Sequence, residues 1–430
     1  MSESSSREPA LLQREQAGHI CAQASIPPVI LEVTRRLQAE GYASLLVGGA
    51  VRDCLLGRAV GDWDLATSAT PTEVMALFRR TIPTGVEHGT VTVLVGRDED
   101  RHAVEVTTFR GESSYQDGRR PEEVTFLRDV REDLKRRDFT VNAFAFDPIT
   151  GAFYDEFDGL GDLHRGVIRA VGDPLARFSE DGLRVIRGLR FCATLGFELE
   201  QETFRAIEPR LHVFEKVARE RVRVELFKLL GAPAPSTALE AMASSRLWER
   251  VLPPVEDRAR SDLMRWVDEA EANVLVRLAM LLRAGAPGGT PTVAKALDDL
   301  KLSRAERRRC EALVGPLPNA LLTTDSVVIR RTASLLGREY VEDACAVLAV
   351  DTASRTRILN EVGDAPLSTK ELRISGGELI KEGLVIPGPG VRDVLQVLLE
   401  WTFEDPGRNT KDTLRAHAKD VLTARGGAGD

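Results

Sequence analysis

Cysteine is scarce in this chain: five residues among 430, at Cys21, Cys54, Cys192, Cys310 and Cys345. The number is odd, the positions are scattered, and no two stand at metal-ligand spacing. That argues against a disulfide framework and a thiolate metal site, and it predicts reduced thiols in a cytoplasmic protein. Long hydrophobic runs are also missing. None approaches the roughly 18 residues that span a bilayer. The opening Met1-Ser2-Glu3-Ser4-Ser5-Ser6-Arg7-Glu8 contains no signal-peptide core. No internal repeat is present. Nor is there an excess of positive charge: the net charge is −8. That balance argues against a nucleic-acid partner only weakly, because basic residues cluster locally. What is there describes an ordinary folded protein, 43% hydrophobic and 29% charged. Its length implies two to four domains with ample core.

One stretch organises the rest. Leu46-Val47-Gly48-Gly49-Ala50-Val51-Arg52-Asp53 is followed by Gly61-Asp62-Trp63-Asp64-Leu65-Ala66-Thr67. Ser44 to Val47 suits a buried strand. Gly48-Gly49 permits a sharp turn and close approach to a ligand. A helix starting there offers unpaired N–H groups to a phosphate. Asp62 and Asp64 are two apart, so at the opening of a second strand both point to one face. Paired carboxylates repel unless a cation lies between them, and oxygen donors suit Mg²⁺. Either motif alone is commonly a turn or a solvated strand end. Together, in this order, they point to metal-assisted phosphoryl or nucleotidyl transfer.

Residues 1–26 read as a flexible lead-in. Pro27-Pro28 starts a helix through about Glu40, and Pro71 opens another. Val91–Val95 and Ala103–Thr108 form a hairpin around a turn at 96–100. Glu105 lies inside the second of these apolar strands. An acid there suggests a third carboxylate near Asp62 and Asp64. Alternation sets Val104 and Val106 on the opposite face, so an outward-facing Glu105 fits equally. Residues 110–124 read as a mobile loop. In Arg136-Arg137-Asp138-Phe139-Thr140-Val141-Asn142-Ala143, two arginines precede an N-capping Asp138 and a short helix, a set able to hold a triphosphate. Val167–Val171 is expected to be the last strand of this domain. From about Pro174 onward helices dominate. The first, from Phe178 to Leu195, would make Asp181 and Arg184 neighbours on its surface. The Arg304, Arg307, Arg308 and Arg309 face of a later helix reads chiefly as solvated surface. The implied division is 27–173, 174–235, 236–362 and 363–430, with 426–430 frayed.

Five blocks, taken in order, resemble the class II tRNA nucleotidyltransferases, the family of CCA-adding enzymes and poly(A) polymerases. They are Gly48-Gly49-x-Val51-Arg52-Asp53 with Asp62-x-Asp64; Arg136-Arg137-Asp138-Phe139-Thr140-x-Asn142-Ala143; Asp158-Gly159-Leu160-x-Asp162-Leu163 with Ile168-Arg169; Glu180-Asp181-x-x-Arg184-x-x-Arg187-x-x-Arg190-Phe191; and Glu220-Arg221-x-Arg223-x-Glu225-Leu226. The resemblance implies an α+β fold: a polymerase-beta-like head with a mixed sheet, then an all-α neck, body and tail. It implies that Asp62 and Asp64 hold two Mg²⁺ ions, that Gly49, Arg52 and Arg137 bind the triphosphate, and that Asp181 and Arg184 read the incoming base. Arg187 and Arg190 would help place the nucleotide. On a straight helix Arg190 falls about half a turn around from Asp181, which leaves a phosphate contact or packing open to it. The implied substrates are CTP and ATP, and the implied partner is the acceptor arm of tRNA.

The base chemistry agrees. Cytosine and adenine each present an exocyclic amino donor beside a ring-nitrogen acceptor. A carboxylate accepts from the first while a guanidinium donates to the second. Uracil and guanine reverse both signs and leave a buried charge unpaired. The residues that follow the acids, Glu87-His88-Gly89-Thr90 and Asp117-Gly118-Arg119-Arg120-Pro121, resemble the CCA-adding branch with a full-length loop. Poly(A), A-only and CC-only specificities are the alternatives on the same scaffold. Where some relatives carry a phosphohydrolase His-Asp pair, Ala279-Met280-Leu281-Leu282 is followed by Arg283-Ala284, so no such activity is expected.

Overall fold

The computed structural model describes residues 13–96, 102–111, 126–285 and 291–426. It divides into two compact units, Met1–Arg250 and Val251–Asp430.

The first unit begins with helices α1 (Arg14–Ala22) and α2 (Pro28–Ala39), strand β1 (Ser44–Val47), helix α3 (Gly49–Leu55), strand β2 (Leu65–Thr67) and helix α4 (Pro71–Leu77). Strands β3 (Thr81–Gly85), β4 (Thr90–Val95) and β5 (His102–Thr108) follow, then α5 (Val130–Lys135), β6 (Phe144–Phe146) and β7 (Phe153–Asp155). These strands form one seven-stranded sheet in the order β3-β4-β5-β2-β1-β6-β7. The pairing of β2 with β5 is parallel and the rest are antiparallel. The apolar run of β1 is explained by cover on both faces. Leu46 joins Val33, Leu37 and Val106 in one core, while Leu45 and Val47 join Ala66, Phe109 and Leu134 in another. Such double burial is why this strand does not alternate.

Several expectations hold locally. The β4–β5 hairpin pairs Val93 with Val104, and Pro28 and Pro71 open their helices. Thr70 and Glu73 close a capping box ahead of α4, which satisfies two otherwise orphaned amides. Others are corrected. The lead-in is not wholly flexible, because α1 buries Ala17 and Cys21 against the sheet. Its first 12 residues, the loop at 112–125, the turn at 97–101 and the last four residues lie outside the described residues.

Past the sheet come α6 (Gly159–Arg165), β8 (Val167–Ile168), α7 (Pro174–Glu180), α8 (Leu183–Leu195), β9 (Glu198–Leu199), α9 (Gln201–Arg205), α10 (Leu211–Phe214) and α11 (Arg219–Leu230). Strand β8 is not part of the main sheet; it pairs in parallel with β9 in a separate two-stranded ribbon. The single helix expected from Phe178 to Leu195 is two helices. Asp181 between them is extended, with φ −147° and ψ 106°. A side chain at Gly182 would meet the Phe214 backbone at 2.6 Å. The break therefore needs glycine for space, not for an unusual φ.

The described part of the second unit is helical. Its basic helix, Arg304–Val314, is partly neutralised: Arg307 pairs with Asp298 and with Glu311, and Arg309 reaches Asp343 at 2.6 Å. Arg283 donates to the carbonyls of Val314 and Gly315. Near the end of the chain Trp401 stacks on His417 at 3.8 Å.

Candidate active site

Strand β2 opens at Leu65, so Asp62 and Asp64 lie in the segment that leads into it and not on the strand itself. Asp64 still continues the pairing: its carbonyl accepts from Val47 N at 3.1 Å. The parallel register that sets Leu65 beside Val106 brings Asp64 level with Glu105, one residue earlier on each strand. All three acids are exposed. The Asp64 pKa is nonetheless raised. Nearby protein strips part of its water, and Glu105 and Asp62 add repulsion, against an opposing pull from Arg137. The three acids and Arg137 therefore share one electrostatic neighbourhood.

The donor set is all oxygen and acidic, which suits a hard divalent cation. Among the described residues no three His, Cys, Asp or Glu side chains gather closely enough to hold a metal by themselves. Two carboxylates completed by substrate phosphates is the usual Mg²⁺ arrangement, and these residues fit it.

Beside the acids, Gly48 turns with φ 71° into α3, whose first residue is Gly49. A Cβ on Gly48 would lie 2.9 Å from Arg137 Nη1. The second glycine is likewise hemmed in, with Arg52 Nη2 at 3.4 Å. Glycine thus lets two arginines close over the start of a helix whose first amides have no partner within it. Arg52 is buried, with Nη1 on Asn142 Oδ1 at 2.5 Å and Nη2 on Asp53 at 2.8 Å. Arg137 bonds Asp133 at 3.1 Å, and Asp133 also takes Arg136 at 2.5 Å. Burial pushes the Asp133 pKa up, but Arg137 and Arg136 outweigh it and the net shift is down.

Asp138 does not cap a helix. The short 3-10 turn Thr140–Asn142 is preceded by Phe139. The Asp138 carboxylate instead accepts two bonds from Arg187 of α8, at 2.9 and 2.6 Å. Burial opposes its charge, yet Arg187 and Asn142 hold it at about 2. Arg187 also reaches Glu225 of α11, which takes Arg190 Nε at 2.8 Å. Burial lowers the Arg190 pKa against the pull of Glu225. Phe191 is the common surface: Arg52, Arg187 and Arg190 lie 5.2, 5.5 and 3.6 Å from its ring centre.

Asp181 and Arg184 do not pair across a helix surface as the sequence spacing suggested, because Asp181 lies in the break. Its Oδ1 accepts from Leu183 N at 3.0 Å and its Oδ2 from Arg221 at 2.9 Å. Arg184 bonds Glu180 at 2.5 Å, the Arg177 carbonyl at 3.0 Å and the Arg136 carbonyl at 2.9 Å. Each group retains capacity. A carboxylate has about four lone-pair sites and a guanidinium five N–H donors.

Sequence reading overlooked the partners: Asp133, Asn142, Glu180, Arg221 and Glu225. Every one stands in or just before a quoted block. Spacing could have suggested Asp133 with Arg136 and Arg137, and Glu180 with Arg184. By contrast, Arg52 for Asn142, Asp181 for Arg221, and Arg187 and Arg190 for Glu225 lie 35 or more residues away in sequence.

Comparison with known proteins follows the same lines. The family described as "Poly A polymerase head domain" matches residues 44–169, and "Probable RNA and SrmB- binding site of polymerase A" matches 196–258. The chain is 35% identical over 415 residues to the CCA-adding enzyme of Lactiplantibacillus plantarum, covering 91% of this chain and 96% of that protein. It is 38% identical to that of Leuconostoc mesenteroides subsp. mesenteroides, covering 91% and 95%. Among solved structures, the Bacillus stearothermophilus CCA-adding enzyme in complex with CTP is 32% identical with a TM-score of 0.75, covering 94% of this chain and all of that one. The Thermotoga maritima CCA-adding enzyme complexed with tRNA shares the fold, at 20% identity and a TM-score of 0.70 over 95% and 98% of the two chains.

Proposed function

The chain belongs to the CCA-adding enzyme family, and from that premise we propose a template-independent tRNA nucleotidyltransferase. It extends the 3′ end of tRNA by C, C and A, from CTP and ATP, with release of pyrophosphate. The observation that carries the reading is geometric: the Asp64 carbonyl accepts from Val47 N just before the Gly48 turn into α3, Glu105 stands level with Asp64, and Arg137 Nη1 closes on Gly48. Acids and phosphate-binding groups converge where a nucleotidyl transfer needs both.

Asp62 and Asp64, completed by substrate phosphates, would hold two Mg²⁺ ions, and Glu105, level with Asp64 on the neighbouring strand, would support them as a nearby third carboxylate. Bound there, the ions supply activation of the attacking 3′-hydroxyl and charge neutralisation at the departing pyrophosphate. The protein's own groups do the placing. Arg52, Arg137 and the amide of Gly49 bind the triphosphate and fix the α-phosphate for in-line attack. Asp181 accepts from the amino group of cytosine or adenine, and Arg184 donates to the adjacent ring nitrogen. Their existing partners hold both in position and leave bonds free for the base. Arg187 ties α8 to the head through Asp138, and Arg187 and Arg190 together tie it to α11 through Glu225, an indirect part in placing the nucleotide.

We further propose that the first unit holds the head (27–173) and neck (174–235), and that the body (236–362) continues into the second unit with the tail (363–430). The five free, buried cysteines fit a reducing cytoplasm. No helix among the described residues is long and apolar enough to cross a membrane.

Purified protein, given tRNA that lacks its last three nucleotides together with Mg²⁺, CTP and ATP, yields a product three nucleotides longer. Asp62→Ala and Asp64→Ala abolish it with the thermal transition unchanged. Full activity in either variant would remove the metal assignment. A long adenylate ladder would identify a poly(A) polymerase instead.

A further inference from the structure

We propose that Asn142 is a positioning residue that ties Arg52 to Arg187 and so sets the spacing between the triphosphate end and the base end of the site. The inference rests on Arg52 as a triphosphate contact and α8 as the base-selecting helix.

An unbroken run of side-chain bonds connects them. Arg52 Nη1 donates to Asn142 Oδ1 at 2.5 Å, and Asn142 Nδ2 donates to Asp138 Oδ1 at 3.2 Å. Asp138 Oδ2 then accepts both bonds from Arg187. A guanidinium can only donate, and an ionised carboxylate can only accept. The residue between them must accept at one end and donate at the other. An amide does this in one orientation, so the two neighbours also fix which way Asn142 faces. Asp138 is held ionised by Arg187 and Asn142, which keeps it an acceptor at working pH.

Other side chains fail for stated reasons. Aspartate would keep the bond to Arg52 but set a second negative charge against Asp138. Leucine would fill the space and offer neither bond. Asn142 is 6% exposed and Arg52 7%, so water would not restore what was lost. The backbone of Asn142 is pinned as well: its N–H bonds the Phe139 carbonyl at 2.9 Å and its own carbonyl faces Arg137 Nη1 at 3.5 Å. One residue therefore touches both phosphate arginines and, through one carboxylate, the helix that carries Arg184.

A mutant cycle on the full-length protein tests this, with KM for CTP measured on tRNA lacking its last three nucleotides. Arg52→Lys and Arg187→Lys each raise KM. If Asn142 links them, the double variant falls short of the product of the single effects by roughly threefold or more, the size expected inside one bonded network. The shortfall disappears in Asn142→Asp and Asn142→Leu backgrounds. Multiplication of the two effects in the otherwise wild-type protein overturns the inference, and that arm decides even if Asn142→Leu does not fold. An Arg52→Lys variant with unchanged KM for CTP instead overturns the triphosphate assignment beneath it.

Discussion

Asp138 gathers Arg187, Asn142 and the Phe139 amide on one carboxylate. Folding lowers its pKa from an ordinary 3.8 to about 2. An acid shifted downward stabilises the fold above its unfolded pKa and loses that contribution as pH falls through the folded one. The window for Asp138 thus runs from about pH 4 down to about pH 2, and the contribution is about 2 kcal/mol. Urea midpoints measured from pH 5 to pH 2 will fall further for the wild type than for Asp138→Asn, which starts lower because Arg187 has lost a buried partner. Glu105 makes a different prediction. If it shares the metal with Asp64, Glu105→Gln raises the Mg²⁺ concentration for half-maximal activity by roughly three- to tenfold and leaves the thermal transition in place. An unchanged Mg²⁺ titration would mark it as an outward-facing strand residue.

At the scale of elements, the decisive feature is the break between α7 and α8. It turns Asp181 out of the helix towards Arg221 while Arg184 stays on α8. Had the helix run on, the two would have met each other and, in the proposed base-reading role, offered less to a base. Gly182 makes the break possible, because a Cβ there would press on the Phe214 backbone at 2.6 Å. Gly182→Ala is expected to cost about 1–3 kcal/mol by overpacking. Its thermal transition falls, and discrimination of CTP over UTP falls with it. A variant that lost stability but kept its discrimination would show that the break does not set the reader. Strand β1 and helix α3 work in the opposite manner: local sequence suffices, since a doubly covered apolar strand followed by Gly48-Gly49 has few other conformations.

For the molecule as a whole, net charge misleads. A chain of −8 concentrates arginine along α8 and α11, where Asp138, Glu225 and Asp181 hold several of them in place. Binding of tRNA should then weaken with salt, each neutralised phosphate contributing a log–log slope of about −0.7 to −0.9. Titration of KM for tRNA against KCl is expected to give a slope of magnitude about 3 or more. A flat profile would count against a phosphate-contacting surface.

The sequence alone determined the order of blocks, the glycine turn into α3, the paired acids and the basic run at Arg136-Arg137, because each depends on neighbours within a few positions. It also placed Asp181 and Arg184 in one block, yet assigned them to a continuous helix. Only the tertiary structure decided the rest: that Phe214, distant in sequence, stands over Gly182; that β8 leaves the main sheet for β9; and that Asp138 serves Arg187 and not a helix end. Those outcomes turn on groups brought close by folding, where desolvation makes an unpaired charge costly and so chooses its partner. Local spacing carries no record of that choice.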